Sequence, residues 1–316
     1  MTRMVYALVD KTDPVPETEV SYFMGEYYAD RANIPTYHSY FGKEHYDFHP
    51  TPIFHGGMAD SLFMGVELEI DRKNNYEDYE DDEDDEDDED DSGSHEIYSL
   101  LNGIHSKSIL GYIKYDGSLR NGMEIVSQPC TLSFHTNSMH WRKVLQMALV
   151  MGYRSHDIQT CGLHVHISRS YFGENNVTQD LGIMKLLYLF ERHWDYILRF
   201  SRRTQNQIQQ WAQRYGLLPE ESPQSLLSKA RSSRDRYRAI NLSNDNTIEI
   251  RVFRGTLRYV TFLATLQFCD LISRIAKETD VERIVEMGWR DIIEQGRHHE
   301  ELMQYLTERG INPFEC

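Results

Sequence analysis

Cysteine is scarce in this chain: there are four in 316 residues, Cys130, Cys161, Cys269 and Cys316, and no two stand in a Cys-x-x-Cys spacing. That excludes a thiolate zinc site and argues against a disulfide framework. Scattered, reduced cysteines fit a cytoplasmic protein. Long apolar runs are lacking as well. No stretch approaches the roughly 18–20 residues that a bilayer crossing needs, so no membrane partner is expected. The N-terminus, MTRMVYALVDKTDPVPE, meets charges and prolines too soon to read as a secretory signal. A glycine-rich phosphate loop ending in Lys-Ser/Thr is absent, which leaves the P-loop and protein-kinase routes to a nucleotide unsupported. The chain also has no excess of positive charge, and with it goes the electrostatic case for binding nucleic acid.

Acid is present in excess. Fifty Asp and Glu stand against 33 Lys and Arg, a formal net charge of -17. From Glu77 to Asp91, 14 of 15 residues are acidic, the exception being Tyr79. Without those 14 the count is 36 against 33, a net charge of -3, so the body is nearly balanced. A run of like charges repels itself into an extended coil. The tract therefore predicts a disordered, solvated insertion over about 75–95, with Ser92, Gly93 and Ser94 as a flexible exit. Docking of a basic partner is the functional alternative. The remainder, 40% hydrophobic and 12% aromatic over the whole chain, is rich enough to bury a core.

Residues 1–60 read as an extended aromatic arm carrying Pro14, Pro16, Pro35, Pro50 and Pro52. Its histidines, His38, His45, His49 and His55, have neither cysteines nor a helical His-x-x-x-His partner, so packing rather than metal binding is expected. Residues 61–316 read as one catalytic body. Helical periodicity appears at about 138–151, 179–200, 204–215, 257–277, 280–295 and 298–309, with Gly152 and Gly216 where C-terminal caps would fall. Arg202 and Arg203 end the long helical pattern; they could reach phosphate or substrate, and favourable charge at a helix C-terminus is the plainer account. Cys161, beside a His-x-His strand, reads as a buried strand-end thiol.

Four short segments share one design. Side chains in a strand alternate between faces with period two. In Val66-Glu67-Leu68-Glu69-Ile70 both carboxylates take one face. Glu124 opposes Met123 and Ile125. His164 and His166 share a face in Leu163-His164-Val165-His166-Ile167, and so do Glu249 and Arg251 in Ile248-Glu249-Ile250-Arg251-Val252. If these strands form one sheet, a single face gathers Glu67, Glu69, Glu124, His164, His166, Glu249 and Arg251. Four carboxylates and two imidazoles repel one another or protonate unless cations sit among them. Oxygen ligands suit Mg²⁺, and added imidazole tilts the set toward Mn²⁺. Arg251, Arg254 and Arg258, with Arg231, Arg234, Arg236 and Arg238 upstream, supply guanidinium groups that bind phosphate oxygens bidentately. Acidic metal ligands beside arginines are what a nucleoside triphosphate and its metals require.

These residues carry a resemblance. The ordered motifs are Phe63-Met64-Gly65-Val66-Glu67-Leu68-Glu69; Lys114-Tyr115-Asp116-Gly117-Ser118-Leu119 with Gly122-Met123-Glu124-Ile125-Val126-Ser127; Gly162-Leu163-His164-Val165-His166; Arg238-Ala239-Ile240-Asn241-Leu242; and Thr247-Ile248-Glu249-Ile250-Arg251-Val252-Phe253-Arg254-Gly255-Thr256-Leu257. The set resembles the amidoligase family, among the carboxylate–amine ligases with a glutamine synthetase-like and glutamate–cysteine ligase-like fold. The resemblance implies ATP-dependent joining of a carboxylate to an amine through an acyl phosphate, with Mg²⁺ or Mn²⁺. It implies Glu67, Glu69, Glu124, His164, His166 and Glu249 as metal ligands, without separating the two histidines. Glu67, Glu124, Arg251 and Arg254 would be catalytic, and Arg251 and Arg254 would contact phosphates. Lys114, Asp116, Arg238 and Asn241 would orient ATP or substrate. The substrates implied are a carboxylate and an amine that are small, peptidic or protein-borne.

The expected fold is α+β: a curved, mostly antiparallel sheet with helices on its apolar face and the Glu/His/Arg face open as a cleft. Two readings stand beside the ligase. One is a non-catalytic protein whose acidic tract docks basic partners, and the other is a His/carboxylate metalloenzyme of another reaction class.

Overall fold

The computed structural model describes residues 51–72, 92–102, 110–233 and 235–315, with side chains described from Glu96 onward in the second stretch. His38, His45 and His49, the acidic tract and Arg234 lie outside the described residues.

The alternating segments all become strands of one sheet. They are β1 (Met64–Arg72), β2 (Gly111–Lys114), β3 (Met123–Ser127), β4 (Tyr153–Arg154), β5 (Gly162–Ser168), β6 (Ile240–Asn241) and β7 (Thr247–Arg254). Their order is β2-β3-β1-β5-β7-β6, with β4 paired to the end of β1, and every pairing is antiparallel. The register follows the hydrophobic pattern, because a slip of one residue would turn the glutamates into the core. Leu68 faces Ile125 on one side and Leu163 on the other, and Val165 faces Ile250.

Eleven helices accompany the sheet among the described residues: α1 (Ser92–Asn102), α2 (Leu132–Asn137), α3 (Trp141–Val150), α4 (Asn176–Arg192), α5 (Trp194–Ser201), α6 (Gln205–Trp211), α7 (Pro223–Ser232), α8 (Tyr259–Glu278), α9 (Val281–Glu286), α10 (Trp289–Gln295) and α11 (Glu300–Glu308). The apolar strand residues Val66, Leu68, Ile70, Ile125, Leu163, Val165, Ile167, Ile248 and Ile250 join residues of these helices in one continuous core. Helix α8 is its centre. It is apolar nearly all round, as a fully buried helix must be, with 16 of its 20 residues buried. Phe262 of α8 packs on Trp141 of α3 with ring centroids 4.6 Å apart, and Phe200 of α5 bridges Phe253 of β7 and Phe268 of α8. Among the described residues no helix is long and apolar enough to cross a membrane.

Several local features depart from the sequence expectation. A helix begins at Ser92, where a flexible exit was expected, so helical backbone occupies the end of the stretch assigned to the insertion. Its last residue, Asn102, donates to Tyr98 O and Gly111 O and accepts from Leu110 N and Gly111 N, which ties α1 to β2. Helices α2 and α7 carry little periodic apolar signal. They are set by their caps: Thr131 Oγ1 accepts from Phe134 N, and Ser222 Oγ accepts from Ser225 N ahead of Pro223. The pattern at 179–200 breaks at His193, and that at 280–295 breaks at Met287. One bond joins the two breaks, His193 Nε2 to Met287 O at 3.0 Å. Gly152, at φ +86°, does follow α3. Gly216, at φ +79°, caps no helix, because α6 ends at Trp211. Its N–H instead donates to the buried carboxylate of Glu191, which also takes Tyr215 N and the Arg214 guanidinium.

Phe262→Ala removes a fully buried ring from this core and should cost about 3–5 kcal/mol, read as a lowered urea midpoint with little change in slope.

Candidate active site

The face opposite the helices carries the chemistry, arranged in rows across the strands. In the first row Lys114 of β2 stands opposite Glu124 of β3, and Glu124 stands opposite Glu69 of β1. In the second, Glu67 is opposite His164. In the third, His166 is opposite Glu249, and Glu249 is opposite Asn241. Period-two alternation places each of these side chains on one face, and antiparallel pairing brings them into contact. The sheet thus assembles Glu67, Glu69, Glu124, His164, His166 and Glu249 from four strands.

The contacts are close. His164 Nδ1 lies 3.6 Å from Glu67 Oε2 and 3.5 Å from Glu249 Oε1, and its Nε2 lies 3.8 Å from Glu69 Oε1. His166 Nε2 is 3.2 Å from Glu67 Oε1, and its Nδ1 is 3.3 Å from Thr247 Oγ1. Lys114 Nζ is 3.5 Å from Glu124 Oε2. Asn241 Nδ2 donates to Glu249 Oε2 at 2.8 Å, and Arg251 pairs with the other oxygen. Glu69 accepts from the backbone N–H of Gly162. The face is more recessed than the open cleft expected from sequence: Glu69, Glu124, His164 and Glu249 are each 5% exposed or less. A cavity of about 330 Å³ elsewhere, lined by Arg169, Ile183, Leu227, Arg231 and Leu242, includes none of these residues.

The electrostatics are those of crowded like charges. Burial alone would raise the Glu67 carboxyl, but His166 and His164 overcome that and hold it well below the usual carboxylate range. Burial raises Glu124 well above that range, and the neighbouring charge of Glu67 adds to it. Burial would lower His166, but Glu67 holds it up at about 9. Lys114 is raised despite its burial, chiefly by Glu124. Three groups each place three ligand atoms within 4.8 Å of one another: Glu67, Glu124 and His164; Glu67, His166 and Glu249; and Glu69, Asp116 and Glu124. Glu124 Oε2 and His164 Nδ1 are buried without a hydrogen bond. Buried polar atoms are ordinarily satisfied, and these two have only ion-pair contacts, Glu124 Oε2 to Lys114 Nζ at 3.5 Å and His164 Nδ1 to Glu249 Oε1 at 3.5 Å. A carboxylate-rich set with imidazole fits Mg²⁺ or Mn²⁺.

Arg251 reaches this face by alternation with Glu249, and Arg254 reaches it through a β-bulge. Between Leu163–Phe253 and Val165–Ile250 the β7 strand has one extra residue. Strict alternation from Arg251 would put Phe253 on the polar face and Arg254 in the core. The bulge reverses that: Phe253 pairs with the core residue Leu163, and Arg254 comes opposite Gly162 on the glutamate face. Asp116 lies in the loop after β2 and accepts from Ser118 N. Arg238 is not brought to the cluster. Three residues before Asn241, it has the opposite strand parity, and its guanidinium contacts Ser233, Asp235, Arg214 O and the ring of Tyr215. Sequence reasoning set Arg203 aside as a helix-end charge. It is 5% exposed and turned toward Glu69, Arg251 and Arg254, and burial lowers it to about 10. No periodic pattern marks it, because it belongs to a turn.

The structure is an antiparallel sheet with one face joined to the helical core and one face of glutamates, histidines and arginines whose side chains could hold a metal ion. The profile of the family described as "Putative amidoligase enzyme" matches residues 54–273, more than half of the chain. The chain belongs to this family. Among solved structures it is similar to a bifunctional glutathione synthetase from Pasteurella multocida, at 11% identity and a TM-score of 0.42, over 81% of this chain and 47% of that one. It is also similar to a structure described as a novel glutamine synthase homolog, at 12% identity and a TM-score of 0.36, over 80% of this chain and 65% of that one. The chain thus spans about half and about two thirds of their lengths. No curated protein matches it.

The His166 shift sets a sign. A histidine raised in the folded state stabilises fully below its unfolded value of 6.5, and that contribution disappears as pH rises through about 9. In EDTA, the stability of the protein should therefore fall between pH 6.5 and 9, and His166→Gln should flatten this slope in urea titrations at stepped pH.

Proposed function

We propose that this protein is an ATP-dependent carboxylate–amine ligase that forms an amide or peptide-type bond through an acyl phosphate. The observation that carries the reading is the single buried face on which six Glu and His side chains from four strands meet, with Arg251 and Arg254 beside them. Glu67, Glu69, Glu124, His164, His166 and Glu249 would hold the divalent cations. Bound there, Mg²⁺ or Mn²⁺ would supply Lewis-acid neutralisation of the triphosphate.

The chain's own residues would then do the following. Arg251 and Arg254 hold the phosphoryl group and stabilise charge on its oxygens as it transfers. Asn241 fixes one oxygen of the Glu249 carboxylate, while the other pairs with Arg251 and lies toward His164. Lys114 balances Glu124, and Asp116 with Lys114 lines the β2 side, where nucleotide or substrate is oriented. The substrate carboxylate attacks the terminal phosphorus and ADP leaves. The amine then attacks the acyl carbon and phosphate leaves. The amine proton passes to a site carboxylate not engaged by a cation. Positioning and charge neutralisation account for most of such a reaction, which fits a site with no evident nucleophile. In this reading residues 61–316 form the catalytic unit, while the arm at 1–60 and the acidic tract stay outside the chemistry.

The test is ADP release with Mg²⁺ or Mn²⁺ against panels of amino acids and peptides as acceptors. Glu67→Ala should abolish turnover by at least about 100-fold with the far-ultraviolet circular dichroism preserved, as expected when charge stabilisation is lost at a reacting centre. An active Glu67→Ala enzyme would sink the reading. Deleting residues 77–91 should leave turnover within about twofold. Loss of basic-protein binding with no ATP turnover in the parent would instead favour the docking alternative. Because His166 is protonated at neutral pH without a cation, Mn²⁺ binding should release protons and tighten as pH rises toward about 9, measurable by calorimetry in buffers of different ionisation enthalpy.

A further inference from the structure

Among the described residues, one of the buried charges that the sheet motifs leave unaccounted for stands beside the candidate site. Arg203 is 5% exposed, and its Nε and Nη1 make no hydrogen bond. A buried guanidinium usually has its donors paired, and an unpaired one is strongly destabilising. Glu69 is nearby, yet one of its oxygens is committed to Gly162 N and the other lies toward His164.

The backbone delivers this side chain deliberately. Helix α5 ends at Ser201, and Arg202 adopts φ +63°, the one positive φ among described residues other than glycine. That conformation is strained for a bulky residue and tends to be kept where the surroundings enforce it. Here Arg202 Nη2 donates to Arg254 O at 3.1 Å and Gly255 O at 3.0 Å, which clamps the turn to the end of β7. Ser201 Oγ accepts from Arg203 N at 3.2 Å. The turn splits two consecutive arginines: Arg202 goes to the rim carbonyls and Arg203 goes inward.

The inward position is defined at Gly162. A Cβ on Gly162 would lie 2.7 Å from Arg203 Nη2 and 2.6 Å from His164 Nε2. Arg203 thus rests on bare strand backbone, beside a candidate metal ligand and across from Arg254, the register partner of Gly162. Arg251 is close enough to act on its charge as well. Arg203, Arg251 and Arg254 lie near enough for their charges to interact, and each keeps a buried donor without a hydrogen bond; such a group suits a multiply charged oxyanion, because the planar fork matches phosphate geometry.

We propose that Arg203, together with Arg251 and Arg254, binds the terminal phosphoryl group of a triphosphate as a catalytic residue of the site. The identity of the anion rests on the ligase reading, while the pocket itself rests on the geometry around Gly162. The unpaired donors take up phosphate oxygens, and the αL turn at Arg202 holds them in place beforehand, so that little ordering remains to be done on binding.

The full chain is titrated calorimetrically with tripolyphosphate, with and without Mg²⁺, as wild type, Arg203→Lys and Arg203→Gln. Wild type should bind, Arg203→Gln should bind at least about tenfold more weakly, and Arg203→Lys should fall between, since a point charge keeps attraction but loses the fork. Without ligand, Arg203→Gln should unfold no earlier than wild type, because a buried unpaired charge has been removed. If that variant misfolds, Arg203→Lys carries the comparison. Wild-type affinity in Arg203→Gln, or no tripolyphosphate binding by wild type, overturns the proposal. Inorganic phosphate binding as tight as tripolyphosphate overturns the assignment to a triphosphate tail. The two readings separate cleanly: ADP release unaffected by Arg203→Gln removes Arg203 and leaves the ligase, whereas Arg203-dependent tripolyphosphate binding with no ADP release on any acceptor removes the ligase and leaves the pocket.

Discussion

A sheet has two faces, and in this protein one of them supplies the aliphatic side chains that join the helices in the core. Everything else follows from that division. Helix α8, apolar nearly all round, lies in the core that covers the aliphatic side of β1, β3, β5 and β7, and the remaining helices close around it. The other face carries none of these core side chains, and its residues are charged, several of them nonetheless buried. Because the pairing is antiparallel and in register, each charged side chain meets an opposite number on the next strand rather than open solvent. The hydrophobic requirement on one side therefore fixes the geometry of the charges on the other, since a register slip would exchange the two sets.

That geometry is electrostatically costly in isolation. Glu69 directly opposes Glu124, and Glu67 lies close enough to raise the Glu124 carboxyl further. His166 and Glu67 relieve part of the strain by moving in opposite directions, the imidazole up and the carboxyl down. The compensation is local and incomplete: Glu124 Oε2, His164 Nδ1 and two atoms of Arg203 stay without hydrogen bonds. A core selected for stability alone would not keep such atoms. Their concentration on one face, next to the left-handed turn at Arg202, supports the proposed reading of this face as a ligand site.

Much of this was legible in the chain. Val66-Glu67-Leu68-Glu69-Ile70 and Leu163-His164-Val165-His166-Ile167 read as two-faced strands because alternation is a local property, set by neighbours two residues apart. Long apolar helices such as α8 announced themselves by periodicity and length. The short helices α2 and α7 did not, since capping by Thr131 and Ser222, rather than an apolar stripe, determines them. Gly216 resembled a helix cap in sequence, whereas its N–H answers to Glu191, 25 positions away. Arg238 shared a motif with Asn241, but odd spacing sent the two to different faces.

The sequence by itself determined which side chains alternate with the core, and so that Glu67, Glu69, Glu124, His164, His166 and Glu249 would stand on the polar sides of their strands. Only the tertiary structure decided which strands are neighbours, and thereby that Glu67 meets His164 and His166 meets Glu249. It also decided the two arginine placements that pattern alone misassigns. The extra residue in β7 returns Arg254 to the glutamate face, and the left-handed turn at Arg202 sends Arg203 inward. The physical reason is the same in both cases. Period-two and helical periods describe regular backbone, while bulges and turns change the parity, and their occurrence depends on partners that lie far away in the chain.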